Sequence, residues 1–207
     1  MKSALFYKTM SKFYDLLDVI YFGKYDTGPR RVVNEAIEDN DNILDLCTGT
    51  GTNAVNIAKK NASVKIVGID ISNNMLAVAK SKLKKGKLLN VEFFLMDAGE
   101  MSFENESFDK VLLSLVLHEM EEEIAASIIN EAIRVLKPNG EILITEWERS
   151  RSFFRKVVFS PIEVLEPKPY KSFVVKDLYT YFKKFGLTVT EEIHCDYSKV
   201  LKLKKTI

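Results

Sequence analysis

Three carboxylates and a pair of glycines carry the chemistry this sequence offers. Asp45-Leu46-Cys47-Thr48-Gly49-Thr50-Gly51 sets an acid shortly before two glycines separated by one residue. Between a strand and a helix, such glycines let a ligand lie directly on the backbone. The pattern Gly49-x-Gly51-x-x-Ala54 also fits a dinucleotide fingerprint. Asp45 distinguishes the two ligands. A pyrophosphate against this turn would be repelled by the carboxylate, whereas a ligand carrying an ammonium and a sulfonium would be held by it. The plainer reading of Asp45 is a pairing with a nearby cation or a hydrogen bond to its own loop.

Two more acids follow at corresponding places. Asp70 closes Gly68-Ile69-Asp70, 19 residues beyond Gly51, where a carboxylate accepts from both hydroxyls of a ribose. Ser72 is the better cap for the next helix, which leaves Asp70 to a ligand; Ile71 and Met75 would then flank an adenine ring. In Leu95-Met96-Asp97-Ala98 the Asp97 side chain can accept from an exocyclic amine, with a turn residue as the alternative. The run Ser114-Leu115-Val116-Leu117-His118-Glu119 would border the reacting group. Together the acids match one nucleoside with a cationic amino-acid tail, S-adenosylmethionine. Methyl transfer from a sulfonium is an in-line displacement that needs a base only when the acceptor must lose a proton. His118 is the candidate base, because imidazole titrates near neutrality, and Glu119 could orient it. The alternative for His118 is a helix cap or a packed loop residue.

These residues must be positioned by alternating strands and helices. Ile43–Leu46, Val64–Ile69, Val91–Leu95, Val111–Leu115 and Glu141–Trp147 read as strands. Asn53–Lys60, Asn73–Lys85 and Glu121–Leu136 read as helices, the last with Ile124, Ile128, Ile129, Ala132, Ile133 and Leu136 in one stripe. Lys137-Pro138-Asn139-Gly140 is expected to stop that helix. Such repeats predict a parallel sheet with helices on both faces and ligands at the carboxyl ends of the strands. Asp177–Phe185 reads as a helix ended by Gly186, with Leu187–His194 and Tyr197–Leu203 as a closing antiparallel pair. The expected organisation is a single domain. An N-terminal helical lid spans 1–40, with helices near Met10–Tyr21 and Thr27–Glu38, and a cofactor-binding core spans 41–150. An insertion that covers the substrate spans 151–175, and a C-terminal helix with the closing strands spans 176–207.

Composition narrows the partners. The 207 residues are 46% hydrophobic and 29% charged, with a formal net charge of +1, so no global field favours nucleic acid or a bilayer. Two cysteines, Cys47 and Cys195, suit a reducing cytoplasm rather than a disulfide framework. Charges at Lys2, Lys8, Lys12, Asp15 and Asp18 make the first residues a poor signal peptide, and no apolar run is long enough to cross a membrane. Between residues 149 and 159, Arg149, Arg151, Arg155 and Lys156 alternate with Phe153, Phe154, Val157 and Phe159. That segment reads as a lid with solvated cations, or at most as a peripheral membrane contact. His194 and Cys195 lack the further ligands of a metal site, so none is expected. The partner expected is a small-molecule methyl acceptor; the oligomeric state stays open.

The sequence resembles class I S-adenosylmethionine-dependent methyltransferases, and among them the ubiquinone/menaquinone biosynthesis methyltransferase type. The likeness lies in Asp45–Gly51, Gly68–Leu76, Met96-Asp97-Ala98, Phe108-Asp109, Arg134–Gly140 and the upstream Phe13-Tyr14-Asp15-Leu16-Leu17. It covers roughly residues 10–150 and fades beyond. It implies a Rossmann-like, seven-stranded, mostly parallel α/β sheet with an antiparallel last strand. Asp45 with Cys47, Gly49, Thr50 and Gly51 would hold the methionine part, Asp70 with Ile71 and Met75 the ribose and adenine, and Asp97 with Ala98 the adenine. Ser114 would lie beside the cofactor and Tyr14 would close over it. The resemblance implies transfer of a methyl group to a quinone-like or lipid-like small molecule. Cys47 departs from the pattern, which often has glycine there. The readings that compete are a nicotinamide-dependent oxidoreductase and a non-catalytic module that keeps the fold for binding.

Overall fold

The computed structural model describes residues 28–148, 168–195 and 197–206. The expected helix at Met10–Tyr21, Tyr14 and the basic aromatic segment of 149–159 lie outside them. Seven strands form one sheet in the order β3-β2-β1-β4-β5-β7-β6. They are β1 Asn42–Leu46, β2 Lys65–Asp70, β3 Val91–Leu95, β4 Phe108–Ser114, β5 Leu136–Trp147, β6 Leu187–His194 and β7 Ser198–Lys205. All neighbouring pairs are parallel except those made by β7, which runs antiparallel to both β5 and β6. The order reverses between β1 and β4, so their carboxyl ends border the crevice in which such sheets bind ligands.

Helices cover both faces. They are α1 Pro29–Glu35, α2 Thr52–Lys60, α3 Asn73–Gly86, α4 Glu122–Val135, α5 Lys168–Phe173 and α6 Leu178–Lys183, with a short 3₁₀ turn at Leu117–Glu119. Strand alternation sorts the core into two layers. Leu44, Leu46, Val111, Leu113, Ile142 and Ile144 pack with α4 and α6. Ile43, Leu112 and Leu143 pack with Val32 of α1, Ile57 of α2 and Leu76 of α3.

Two local expectations are corrected. Ile124 is 55% exposed; Ala125, Ile128, Ile129, Ala132 and Val135 form the buried stripe of α4 instead. Ile124 sits about 100° round the helix from Ala125 and falls off the stripe in the first turn. Lys137–Gly140 is not a loop between helix and strand. Pairing begins at Leu136 with Phe108 and resumes at Glu141 with Lys110, so these residues bulge within one long β5. A Cβ at Gly140 would stand 2.8 Å from the Asp109 carbonyl, so only glycine passes there. Lys137 Nζ donates to both Asp109 carboxylate oxygens at 2.8 Å and ties the bulge to β4.

Candidate active site

Asp45 shares the face of Ile43, so it points beneath the start of α2 rather than into the α4 layer. It is only 2% exposed. Thr48 Oγ1 donates to its Oδ2 at 2.5 Å. Burial pushes the Asp45 carboxyl up to about 7; the Thr48 hydroxyl opposes this and the Asp70 charge adds to it. Asp70 Oδ2 accepts from the Gly49 amide and Oδ1 from the Ser72 amide, both at 2.8 Å. Asp70 was expected to be left to a ligand; it already staples the glycine loop to the end of β2. Each carboxylate oxygen retains a second lone pair for a hydroxyl. Burial raises the Asp70 carboxyl as well, against the two amides that lower it. Ser72 caps α3 as expected, its Oγ accepting from Met75 N at 3.4 Å.

The two glycines of the loop serve different ends. Gly51 has φ +70°, and a Cβ there would lie 2.5 Å from Phe93 Cζ and 2.8 Å from Ala79 Cβ. Gly49 has φ +56°, and a Cβ would meet nothing nearer than the Cys47 carbonyl at 4.0 Å. The backbone at Gly49 is therefore open on the side where a ligand would rest, which fits S-adenosylmethionine lying against it. Cys47 also adopts a left-handed φ of +52°, the physical reason glycine suits that position. Burial, then the charges of Asp70, Asp45, Asp97 and Glu119, hold its thiol protonated, up to about 12. Thr50 is buried, and its hydroxyl accepts from Lys82 Nζ at 2.9 Å.

Beyond Asp70 the surface turns apolar. Ile71 is 73% and Leu95 54% exposed, with Phe94 beside them in β3, while Met75 is buried. A solvent-facing apolar ledge next to two carboxylates fits a purine. Asp97 is exposed, its Oδ1 accepting from Gly99 N at 2.8 Å, and Ala98 is buried. Arg134 fixes the segment that follows. Its guanidinium donates to the carbonyls of Met101 and Phe103 at 2.9 and 2.7 Å and to Glu131 at 2.6 Å.

At the end of β4, Ser114 Oγ accepts from Asn53 Nδ2 at 2.8 Å, and Asn53 Oδ1 receives Arg30 Nε at 3.5 Å. His118 is 1% exposed and its Nδ1 lies 2.5 Å from Glu146 Oε2. Glu146 Oε1 accepts from Leu117 N at 2.9 Å. The carboxylate that the structure sets on this imidazole is thus Glu146, at the end of β5, where the sequence suggested Glu119. An acid in the strand Glu141–Trp147, facing the core layer of Ile142 and Ile144, was the signal available. Tyr170 of α5 meets the His118 ring edge-on, centroids 5.8 Å apart. A cavity of about 350 Å³ opens beside this turn, lined by Leu117, Met120, Ala125, Phe173 and Tyr181, with Glu122 and Lys176 among its polar groups. His194 Nδ1 lies 2.8 Å from Glu148 Oε1, away from this cluster in the chain's closing strands.

The strand order, the open glycine turn and the acids at three successive strand ends define a Rossmann-like α/β protein with its acids gathered at the carboxyl edge of the sheet. The chain belongs to the methyltransferase domain family, whose profile matches residues 37–186. It is 38% identical over 105 residues to a demethylmenaquinone methyltransferase of Lactococcus lactis, covering 50% of this chain and 41% of the relative. A demethylmenaquinone methyltransferase of Thermotoga maritima is 34% identical over 135 residues, covering 64% and 56%. The chain thus spans about half the length of these curated relatives. Among solved structures, an S-adenosylmethionine-dependent methyltransferase from Aquifex aeolicus superposes with a TM-score of 0.74 at 19% identity, over 95% of this chain and 97% of that one. That likeness establishes the shared Rossmann-like fold.

Proposed function

We propose that this chain is an S-adenosylmethionine-dependent methyltransferase acting on a small, quinone-like or lipid-like acceptor. The observation that carries the reading is Asp45, a buried carboxyl beneath an open glycine turn. It attracts a cationic ligand and repels a diphosphate. When bound, the cofactor supplies a methyl group on a sulfonium, ready for in-line displacement. The chain's residues then bind and align. Cys47, Gly49, Thr50 and Gly51 shape the seat of the methionine part, and Asp45 meets its positive charge. Asp70 receives the ribose hydroxyls, while Ile71, Met75 and Ala98 flank the adenine and Asp97 its amine. Ser114 borders the methyl group, and Tyr14 closes over the cofactor.

His118 takes the proton from the acceptor, and Glu146 holds the imidazole in register and balances the charge it gains. The cavity beside Leu117, with Met120, Ala125 and Phe173 among its apolar lining, suits the ring of a quinone-like acceptor, in keeping with the names of the Lactococcus and Thermotoga relatives. The segment 151–175 acts as the substrate cover, in a single domain with a lid at 1–40. No helix among the described residues is long and apolar enough to cross a membrane, and we place the enzyme in the cytoplasm with at most a peripheral membrane contact.

Calorimetry with S-adenosylmethionine, NAD and NADP tests the cofactor: binding of the first alone is expected, and nicotinamide binding without it would reject the reading. Turnover of a demethylated naphthoquinone tests the base. Glu146→Gln is expected to lower kcat about a hundredfold and to displace the pH profile, with cofactor affinity unchanged. A kcat and pH profile matching the parent would remove His118 and Glu146 from the chemistry.

A further inference from the structure

The amino ends of β2 and β3 lie at the opposite edge of the sheet from the crevice, and there α2 and α3 finish. α2 closes on Lys59 and Lys60, and α3 on Lys84 and Lys85 before Gly86, with Lys87 just beyond. A Cβ on Gly86 would stand 3.7 Å from Lys59 Cε, so the two helix ends share one patch. All five lysines are exposed, and among the described residues none of them enters an ion pair or a side-chain hydrogen bond. The acids nearby are Asp39, which accepts from Asn61 Nδ2 at 2.9 Å and Ser63 Oγ at 3.2 Å, and Glu92 in β3. They leave the patch strongly positive. Leu88 turns in against the core, whereas Leu89 is 98% exposed. We propose that this patch docks the protein on an anionic phospholipid bilayer, a role independent of the ligand in the crevice. Leu89 enters the boundary between headgroups and acyl chains, and the lysines lie among the phosphates.

Stability of the fold accounts for only part of this pattern. The helix dipole favours a lysine in the last turn, which covers Lys59, Lys60, Lys84 and Lys85. Lys87 lies past that turn, at a left-handed φ of +51° that suits glycine or asparagine better. Leu89, almost wholly in water, adds nothing to the core. An apolar tip ringed by cations finds its counterpart in a lipid interface. A hydrated polyanion such as RNA offers the phosphates but no place for the leucine. Charge also sets the orientation. Asp45, Asp70 and Asp97 gather at the carboxyl ends of the strands, so a negative surface attracts the lysine edge and repels the crevice edge. The crevice then faces away from the membrane and stays open to its ligands.

Co-sedimentation of the full chain with vesicles of phosphatidylcholine, alone or mixed with phosphatidylglycerol, tests this. Binding is expected to the anionic vesicles only, and should fall more than about tenfold as salt rises from about 0.05 to about 0.5 M. Lys84→Gln, Lys85→Gln and Lys87→Gln together should weaken it about 100-fold. Leu89→Ser, at a site that carries no packing, should weaken it about tenfold. The arginine triple, Lys84→Arg, Lys85→Arg and Lys87→Arg, keeps the charge and should bind as the parent does. No binding to anionic vesicles, equal binding to neutral ones, or a glutamine triple that binds like the parent would overturn the proposal. So would an arginine triple that loses as much as the glutamine one, because charge would then not be the cause. Binding to polyuridylate as tight as to the anionic vesicles, and indifferent to Leu89→Ser, would overturn it by making the patch a nucleic-acid site.

Discussion

Asp45 combines a buried site with a charge that a cationic ligand needs, and the two have opposite effects on the chain. Its carboxyl is raised to about 7 in the folded state, chiefly by burial. Its contribution to stability is therefore fullest below the unfolded value of 3.8 and is lost as pH rises towards 7. Asp45→Asn removes that loss, so at pH near 8 the ligand-free variant should be more stable than the parent by about 2 kcal/mol and melt at a higher temperature. The ligand responds in the other direction. A cation favours ionised Asp45, so S-adenosylmethionine should bind the parent roughly tenfold more weakly at pH near 6 than near 8, and Asp45→Asn should bind weakly with no such slope. Calorimetry at both pH values checks this; a parallel slope in the variant would assign the titration elsewhere. Cys47 gives a second contrast. At φ +52° a β-branched side chain is strained, so Cys47→Val should cost about 2 kcal/mol and Cys47→Gly under about 1 kcal/mol in thermal melts. The identities of Asp45, Asp70 and Asp97 were legible in the sequence because strand ends are. The double duty of Asp70 was not, since its partners, the amides of Gly49 and Ser72, are set by how two loops meet.

The element that gathers these residues is the β1–α2 turn, and its glycines separate by what lies opposite them. Gly51→Ala would drive a methyl into Phe93 and Ala79 and should destabilise the chain by about 3 kcal/mol. Gly49→Ala meets open space, so its cost should be near 1 kcal/mol from backbone strain alone. It should nevertheless weaken cofactor binding more than tenfold, because the added methyl fills the ligand's side of the loop. Melting curves paired with titrations distinguish the two; a Gly49→Ala protein that binds normally would move the ligand off this turn. Most elements were readable from spacing: β3 and β6 match their expected limits and α2 to α4 match within a residue. The bulge of Lys137–Gly140 was not, because Pro138, Asn139 and Gly140 signal a break equally well in a loop or within a strand. Arg134 shows the same limit. Its place in a recurrent stretch was visible, but its hold on the carbonyls of Met101 and Phe103 depends on tertiary contact. Glu146 escaped for a related reason: an acid 28 positions from His118 meets it only when β4 and β5 lie side by side.

Across the whole molecule the sheet divides two cores, and β7 serves both. Val200 packs with the α1–α3 layer, and Leu201 and Leu203 with the α4–α6 layer. Because β7 is bonded on both sides, the rims of the sheet are β3 and β6, and they differ. On β6 a register irregularity between Val189 and Glu191, with Glu191 and Glu192 alongside, discourages a second molecule from continuing the hydrogen-bond ladder. On β3, Phe94 and Leu95 lie open to water near Ile71, and Glu92 is the one charge within the strand. The rim that would shelter a purine is therefore also the sticky margin of an empty protein. Light scattering of concentrated samples should show reversible clustering that saturating S-adenosylhomocysteine suppresses and that Leu95→Lys abolishes; clustering indifferent to both would point to another surface. Under that view a full complement of nucleoside acts as the chain's own solubiliser, and preparations stripped of it would be the ones that cloud on storage.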